Sequence, residues 1–125
     1  MYNKNNPKVM LIEDDPDDIE QFLKLAKKSW KVDVVQNGNV ALSSILKIKP
    51  DMIFLDRVLP SKSGDEICME IRFHPNLSVS STPIAMVSCL HGYGQKMIGE
   101  IMGANKYISK PYSQKEICDT VSEFF

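Results

Sequence analysis

Four strand-like runs in this chain each lead into a residue able to take part in phosphate or metal chemistry. Val9 to Ile12 is followed by Glu13, Asp14 and Asp15, Met52 to Leu55 by Asp56, Ile84 to Val87 by Ser88, and Lys106 to Ser109 by Lys110. An ionised acid next to a buried strand costs desolvation energy, so Asp56 asks for a cation, a hydrogen-bond network or a function that uses it. Converging carboxylates repel one another unless a cation lies among them. Mg²⁺ suits such a cluster because it takes hard oxygen ligands in octahedral geometry and keeps several waters. An ammonium such as Lys110 can neutralise phosphate charge, and the Ser88 hydroxyl can donate to a phosphoryl oxygen. Brought together, these are the groups that a metal-assisted phosphoryl site requires.

Each residue also has a plainer reading. Asp56 can open the turn that runs through Leu59-Pro60 to Gly64. Asp15, Asp17 and Asp18 read as cap and first-turn residues of a helix, where the dipole favours anions. Taken singly, Ser88 is an ordinary strand-end hydroxyl and Lys110 an ordinary surface lysine. Cys89 reads as a small side chain occupying space, Met97 and Met102 as core filler, and Arg57 as unremarkable.

The elements that would position these residues follow from periodicity and punctuation. Val9 to Ile12, Val32 to Val35, Met52 to Leu55, Ile84 to Val87 and Lys106 to Ser109 read as strands. Asp15 as N-cap and Pro16 as first helical residue start a helix that carries Ile19, Phe22, Leu23 and Ala26 inward and runs to about Lys28. Asn37-Gly38 reads as a turn, and Val40 to about Lys47 as a helix with Ala41, Leu42, Ile45 and Leu46 inward. A third helix after Gly64, with Ile67 and Ile71 one turn apart, stops at His74-Pro75, and the Ser-rich stretch Asn76 to Thr82 reads as a loop. A fourth is marked by Met97, Ile98, Ile101 and Met102. A fifth opens with the Ser113–Glu116 capping box and turns Ile117, Val121 and Phe124 to the core. Residues Met1 to Pro7 are polar and Asn-rich and read as a short mobile tail, leaving residues 8–125 as the domain.

Five strands alternating with five helices, without tandem hairpins, imply right-handed crossovers and a doubly wound parallel sheet covered on both faces. Such sheets bind ligands at the carboxyl ends of their strands. At 125 residues the chain suits one domain, and 43% apolar with 25% charged residues is an ordinary globular composition. A net charge of −1 gives no field that would draw in nucleic acid or an acidic membrane. Three widely spaced cysteines without metal-ligand partners fit reduced thiols. No run approaches membrane-spanning length and the start lacks a signal-peptide core, so the expected location is the cytoplasm.

The motifs LIEDD, IFLDRVLPSKSG, PIAMVSC and ANKYISKPYS stand in this order and at this spacing along nearly the whole chain. In them the sequence resembles the receiver domains of bacterial two-component response regulators. The resemblance implies a flavodoxin-like α/β fold with strand order 2-1-3-4-5. It implies that Asp56 is the phosphoacceptor, that Glu13 and Asp14 hold Mg²⁺ together with Asp56 and the backbone carbonyl of Val58, and that Lys110 and Ser88 contact the phosphoryl group. It further implies a cis Lys110-Pro111 bond and a switch made of Ser88 and Tyr107 that alters the surface of the fourth helix, fifth strand and fifth helix. The implied partners are a sensor histidine kinase or histidine phosphotransfer protein and a downstream protein target. The chain would then catalyse only its own phosphoryl transfer and dephosphorylation and not act as an enzyme on an external metabolite. Taken as it stands, with no output domain after Phe125, it reads as a stand-alone receiver.

Other readings fit less well. The alternative kept open is a receiver-like interaction module that is not phosphorylated. A metal-dependent hydrolase of the haloacid dehalogenase family would carry an acid two residues after its aspartate, where this chain has Val58. A flavodoxin-like electron carrier would cradle phosphate after the first strand, where Glu13-Asp14-Asp15 would repel it.

Overall fold

Every strand of the sheet except the two at its edges is buried along its whole apolar length, because helices cover both faces. The computed structural model describes residues 6–90 and 92–125. It contains β1 (Lys8–Ile12), α1 (Pro16–Leu25), β2 (Lys31–Val35), a 3₁₀ turn (Gly38–Val40), α2 (Ala41–Ile48), β3 (Met52–Asp56), α3 (Gly64–Arg72), α4 (Leu77–Ser80), β4 (Ile84–Ser88), α5 (Tyr93–Ile101), β5 (Lys106–Ser109) and α6 (Gln114–Ser122). All pairings are parallel, in the order β2-β1-β3-β4-β5. This is the expected doubly wound α/β architecture, with central β3 flanked by β1 and β4.

Alternation along the strands divides the core in two. Met10, Ile12, Ile53, Leu55, Ile84 and Met86 face Ile45 of α2 and Ile67 and Ile71 of α3. Val9, Leu11, Met52, Phe54, Ala85 and Val87 face Phe22 of α1 and Ile117 and Val121 of α6, where the Phe22 and Phe54 rings meet edge-on at 5.0 Å. Phe124 packs partly buried against this second cluster.

The helix starts follow their capping residues. Asp15 accepts from the Asp17 and Asp18 N–H groups with Pro16 behind it, and Ser113 and Glu116 form a reciprocal capping box. The stretch Asn76 to Thr82 is not all loop: the Asn76 side chain accepts the Ser78 N–H, and buried Val79 anchors the single turn of α4. The helices expected fourth and fifth are therefore α5 and α6. Helix α1 ends at Leu25, short of Lys28, because Ala26 is extended and a turn from Lys27 O to Trp30 N buries Trp30.

Several apolar side chains expected inward face solvent. Leu23 and Leu46 are exposed at the margins of stripes centred on Phe22 and Ile45. Helix α5 departs most. Its one buried residue is Gly99, where a Cβ would lie 2.8 Å from Cδ2 of Tyr107. The helix docks on β5 through its smallest residue, so Met97, Ile98 and Ile101 turn outward instead of filling the core.

The tail expected over Met1 to Pro7 falls largely on residues 1–5, outside the described residues. Pro7 itself is buried, and its carbonyl accepts the Lys31 N–H at 3.0 Å. Among the described residues, no helix is long and apolar enough to cross a membrane.

Candidate functional site

The register of the sheet decides which polar groups meet. Ile12 pairs with Leu55, Asp56 with Val87, and Ser88 with Ser109, so the carboxyl ends of β1, β3, β4 and β5 finish side by side. Glu13 and Asp14 follow β1, Asp56 ends β3, Ser88 ends β4 and Lys110 follows β5. One carboxylate oxygen from each of Glu13, Asp14 and Asp56 lies within 4.8 Å of the others. Glu13, Asp56 and Ser88 are buried and Asp14 is half-buried.

Backbone geometry fixes these groups. The Glu13 N–H donates to Val35 O at 3.0 Å, tying the β1 end to β2. Oε2 of Glu13 accepts from the Asp14 and Asp15 N–H groups at 3.1 and 3.3 Å. Oδ1 of Asp56 accepts the Val58 N–H at 3.1 Å, turning the chain sharply after β3. The loop then returns so closely that Gly64 N–H donates to Arg57 O at 2.8 Å, and a Cβ on Gly64 would stand 2.4 Å from Asp56 O. Only glycine fits there.

Lys110 supplies the positive charge at the centre. Its Nζ donates to Glu13 Oε1 at 2.8 Å and Asp18 Oδ2 at 2.7 Å, with Asp56 Oδ2 farther off at 3.5 Å. Its N–H donates to Ser88 O at 2.8 Å, and the Lys110–Pro111 bond is cis, as the resemblance implies. Burial alone would lower the Lys110 ammonium, but the hydrogen bonds to Asp18 and Glu13 and the charge of Asp56 hold it above its ordinary value. Glu13 is pushed up to about 7, first by burial and then by its hydrogen bond and charge repulsion with Asp56, with Lys110 opposing.

Two residues carry more than the sequence suggested. Asp18, read as a first-turn helix residue, makes the shortest contact to Lys110. Its position three residues after the Asp15 cap was the available signal, since that turn opens toward the strand ends. Arg57 is buried, with Nε 3.2 Å from each carboxylate oxygen of Asp65 and Nη1 donating to Gln95 O at 3.1 Å and Gln95 Oε1 at 2.8 Å. Nothing in its sequence neighbourhood marked it. Cys89, read as a small side chain occupying space, is exposed and lines, with Asp18, Gln21, Lys110 and Tyr112, a cavity of about 340 Å³ beside the acidic cluster.

Ser88 and Tyr107 meet through Leu90. The Leu90 N–H donates to Ser88 Oγ at 3.0 Å, and the Tyr107 hydroxyl donates to Leu90 O at 2.8 Å. Val58 and Leu90, near the mouth of the site, are 59% and 42% exposed, so neither is a core side chain.

The arrangement gathers oxygen ligands for a hard cation, an ionisable nucleophilic carboxylate and a cation for a phosphate on one rim of the sheet. Comparison with known proteins agrees. Residues 9–122 match the model of the response regulator receiver domain. The chain is 32% identical over 117 residues to the transcriptional regulatory protein BaeR of Escherichia coli, covering 92% of this chain and 46% of that protein. The chain thus spans about half the length of the curated relatives it matches. Among solved structures, the BeF3-activated N-terminal receiver domain of Klebsiella pneumoniae RstA is 28% identical with a TM-score of 0.79, covering 94% of this chain and 97% of that one. Vibrio cholerae CheY4 superposes with a TM-score of 0.85 over 96% of this chain and 99% of its own, and at 21% identity it shows the shared fold alone.

Proposed function

Because this chain belongs to the response regulator receiver family, we propose that residues 8–125 form a phosphoacceptor domain in which Asp56 takes a phosphoryl group from a sensor histidine kinase or a histidine phosphotransfer protein. The observation that carries this reading is the placement of Asp56: its carboxylate shares one space with those of Glu13 and Asp14, and Lys110 stands 3.5 Å from Oδ2. In the transfer, an Asp56 oxygen forms a bond to phosphorus as the phosphorus–nitrogen bond of phosphohistidine breaks. The departing electron pair stays on the imidazole, which takes a proton from solvent. An ionised carboxylate needs no general base, and because such transition states are largely dissociative, positioning and charge neutralisation do most of the work. A protein that acts only on its own aspartate is a signalling domain and not an enzyme with an external substrate.

The residues fit Mg²⁺. Three carboxylates within 4.8 Å are hard-oxygen donors, and Glu13, raised to about 7 first by burial and then by its hydrogen bond and charge repulsion with Asp56, is an acid that a bound cation would favour in its ionised form. Glu13, Asp14, Asp56 and the Val58 carbonyl would hold the ion, whose chemistry there is to neutralise phosphoryl oxygens and so lower the repulsion between phosphate and Asp56. Lys110 then binds a phosphoryl oxygen, and the Ser88 hydroxyl donates its hydrogen to another.

Output would pass through the surface of α5, β5 and α6. Tyr93 and Ile101 are 78% and 71% exposed on α5, an apolar face suited to a protein target. With a net charge of −1, direct nucleic-acid or membrane contact by this domain is not part of the proposal. The domain would work in the cytoplasm, where its kinase and Mg²⁺ are available.

The test is incubation with Mg²⁺ and acetyl phosphate, then with candidate kinases, followed by intact mass. A Mg²⁺-dependent adduct absent from Asp56→Ala supports the reading. No adduct with any donor would favour an interaction module that is not phosphorylated.

A further inference from the structure

Strand alternation sends Asp56 and Arg57 to opposite faces of the sheet. Asp56 faces Lys110 and the acidic cluster, whereas Arg57 continues the side of Ile53 and Leu55, beneath α3 and α5. There its guanidinium, on a residue only 7% exposed, touches three elements at once. Nε meets Asp65 in the first turn of α3, and Nη1 grips both the backbone and side-chain oxygens of Gln95 in the first turn of α5. The same group lies 5.9 Å from the ring centroid of Tyr107 on β5.

The grip on α5 matters because that helix has little else at its start. Its N-cap, Gly92, provides no side-chain hydrogen bond, Gly94 follows at the second helical position, and the helix packs on β5 through Gly99. The backbone of Arg57, by contrast, is held firmly. Its N–H donates to Val87 O at 2.9 Å, its carbonyl accepts the Gly64 N–H at 2.8 Å, and it adjoins the carboxyl-bearing residue directly. A displacement of the β3–α3 turn therefore moves a rigid, buried fork whose far end holds α5 and borders Tyr107.

We propose that Arg57 is a positioning residue that transmits the state of Asp56 to α5 by holding Gln95 and bordering Tyr107. This rests on the reading of Asp56 as phosphoacceptor and adds to it a link separate from the Ser88–Leu90–Tyr107 route. Arginine suits the role where lysine does not, because its planar fork can address Asp65 and Gln95 in fixed directions. Arg57 touches no reacting atom, so its removal should spare phosphorylation and cost coupling.

The experiment is hydrogen exchange on the full chain, with and without Mg²⁺ and beryllofluoride, for wild type, Arg57→Met, Arg57→Lys and Gln95→Met. In metal-free protein, Arg57→Met should speed exchange of the α5 amides about tenfold, the loss expected for a charge-assisted hydrogen bond. Its α5 response to beryllofluoride should shrink to a fraction of the wild-type response while Asp56 still gains a Mg²⁺-dependent adduct from acetyl phosphate. Gln95→Met, which leaves the arginine and its Asp65 contact in place, should reproduce part of both effects even if Arg57→Met folds poorly. Arg57→Lys should not restore the response. Wild-type exchange in α5 for both Gln95→Met and Arg57→Met, or a full beryllofluoride response in them, would overturn the proposal. Failure of the phosphoacceptor reading looks different: wild type itself would show neither adduct nor response, which overturns both.

Discussion

Ser88 and Tyr107 are joined through the main chain of a single residue: Leu90 donates its N–H to Ser88 Oγ at 3.0 Å and accepts the Tyr107 hydroxyl on its carbonyl at 2.8 Å. If the Ser88 side chain rotates toward a phosphoryl oxygen on Asp56, its Oγ moves away from the Leu90 N–H, which loosens the residue whose carbonyl holds the Tyr107 hydroxyl. Phosphate can shift this equilibrium only by its different interaction with the two arrangements. Ser88→Ala removes that difference at its source. The variant should still accept phosphate on Asp56, lose about 1 kcal/mol of stability from the broken hydrogen bond, and show little phosphorylation-dependent change in exchange of β5. An undiminished change would place the coupling elsewhere.

A second outcome concerns pH. The folded protein holds the Glu13 proton up to about pH 7, against 4.5 for a free glutamate. A raised carboxyl favours the folded state most strongly below the unfolded value, and that contribution fades as pH rises through the folded one. Between pH 4.5 and about 7, Glu13 thus lowers metal-free stability as pH increases. Urea midpoints should show this as a difference between wild type and Glu13→Gln that grows toward neutral pH. A Mg²⁺ ion held by this cluster would have to displace the same proton, so its apparent affinity should fall by up to about tenfold per pH unit below 7. Mg²⁺ affinity that is flat from pH 5.5 to 7.5 would contradict the cluster as ligand set.

The three central strands and the polar residues after them were legible because a strand buried on both faces is a continuous apolar run, and a polar residue at its end stands out. Asp56 after Met52 to Leu55 is the plainest case. Caps were legible for a similar reason: Asp15 with Pro16, and Ser113 with Glu116, act within one turn of the chain. Features that depend on partners distant in sequence were not. Met97, Ile98 and Ile101 have core-like spacing, and only the Tyr107 ring against Gly99 explains why they face outward. Arg57 reads as unremarkable until Asp65 and Gln95, 8 and 38 residues away, are brought to it. Helix α4 was hidden by its serines, which disguise an Asn76 cap over one buried valine.

Asp18 supplies a third expectation. It competes with Asp56 for Lys110, taking the contact at 2.7 Å and leaving Asp56 at 3.5 Å. Asp18→Asn removes the negative charge and keeps the shape, so Lys110 should settle nearer Asp56. Beryllofluoride, measured by calorimetry in saturating Mg²⁺, should then bind severalfold more tightly than to wild type. Weaker binding would mean that Asp18 places Lys110 for the phosphoryl group instead of withholding it.

The lifetime of the phosphorylated state gives the last test. An acylphosphate is lost when water attacks phosphorus in line, and the groups beside the acceptor govern whether that water is oriented or excluded. Val58 and Leu90 cannot orient water by side-chain hydrogen bonds, and at 59% and 42% exposed they are free to cover a phosphoryl group instead of packing into the core. Slow self-dephosphorylation is expected. Val58→Asn places an amide beside the acceptor that can hold a water, and should shorten the lifetime several-fold under saturating Mg²⁺. Because Val58 is a surface side chain, the substitution should leave stability within about 0.5 kcal/mol of wild type, so a faster loss reports on the water and not on unfolding. A short-lived wild type, unchanged by substitution at Val58 or Leu90, would show that these side chains do not shield the phosphoryl group.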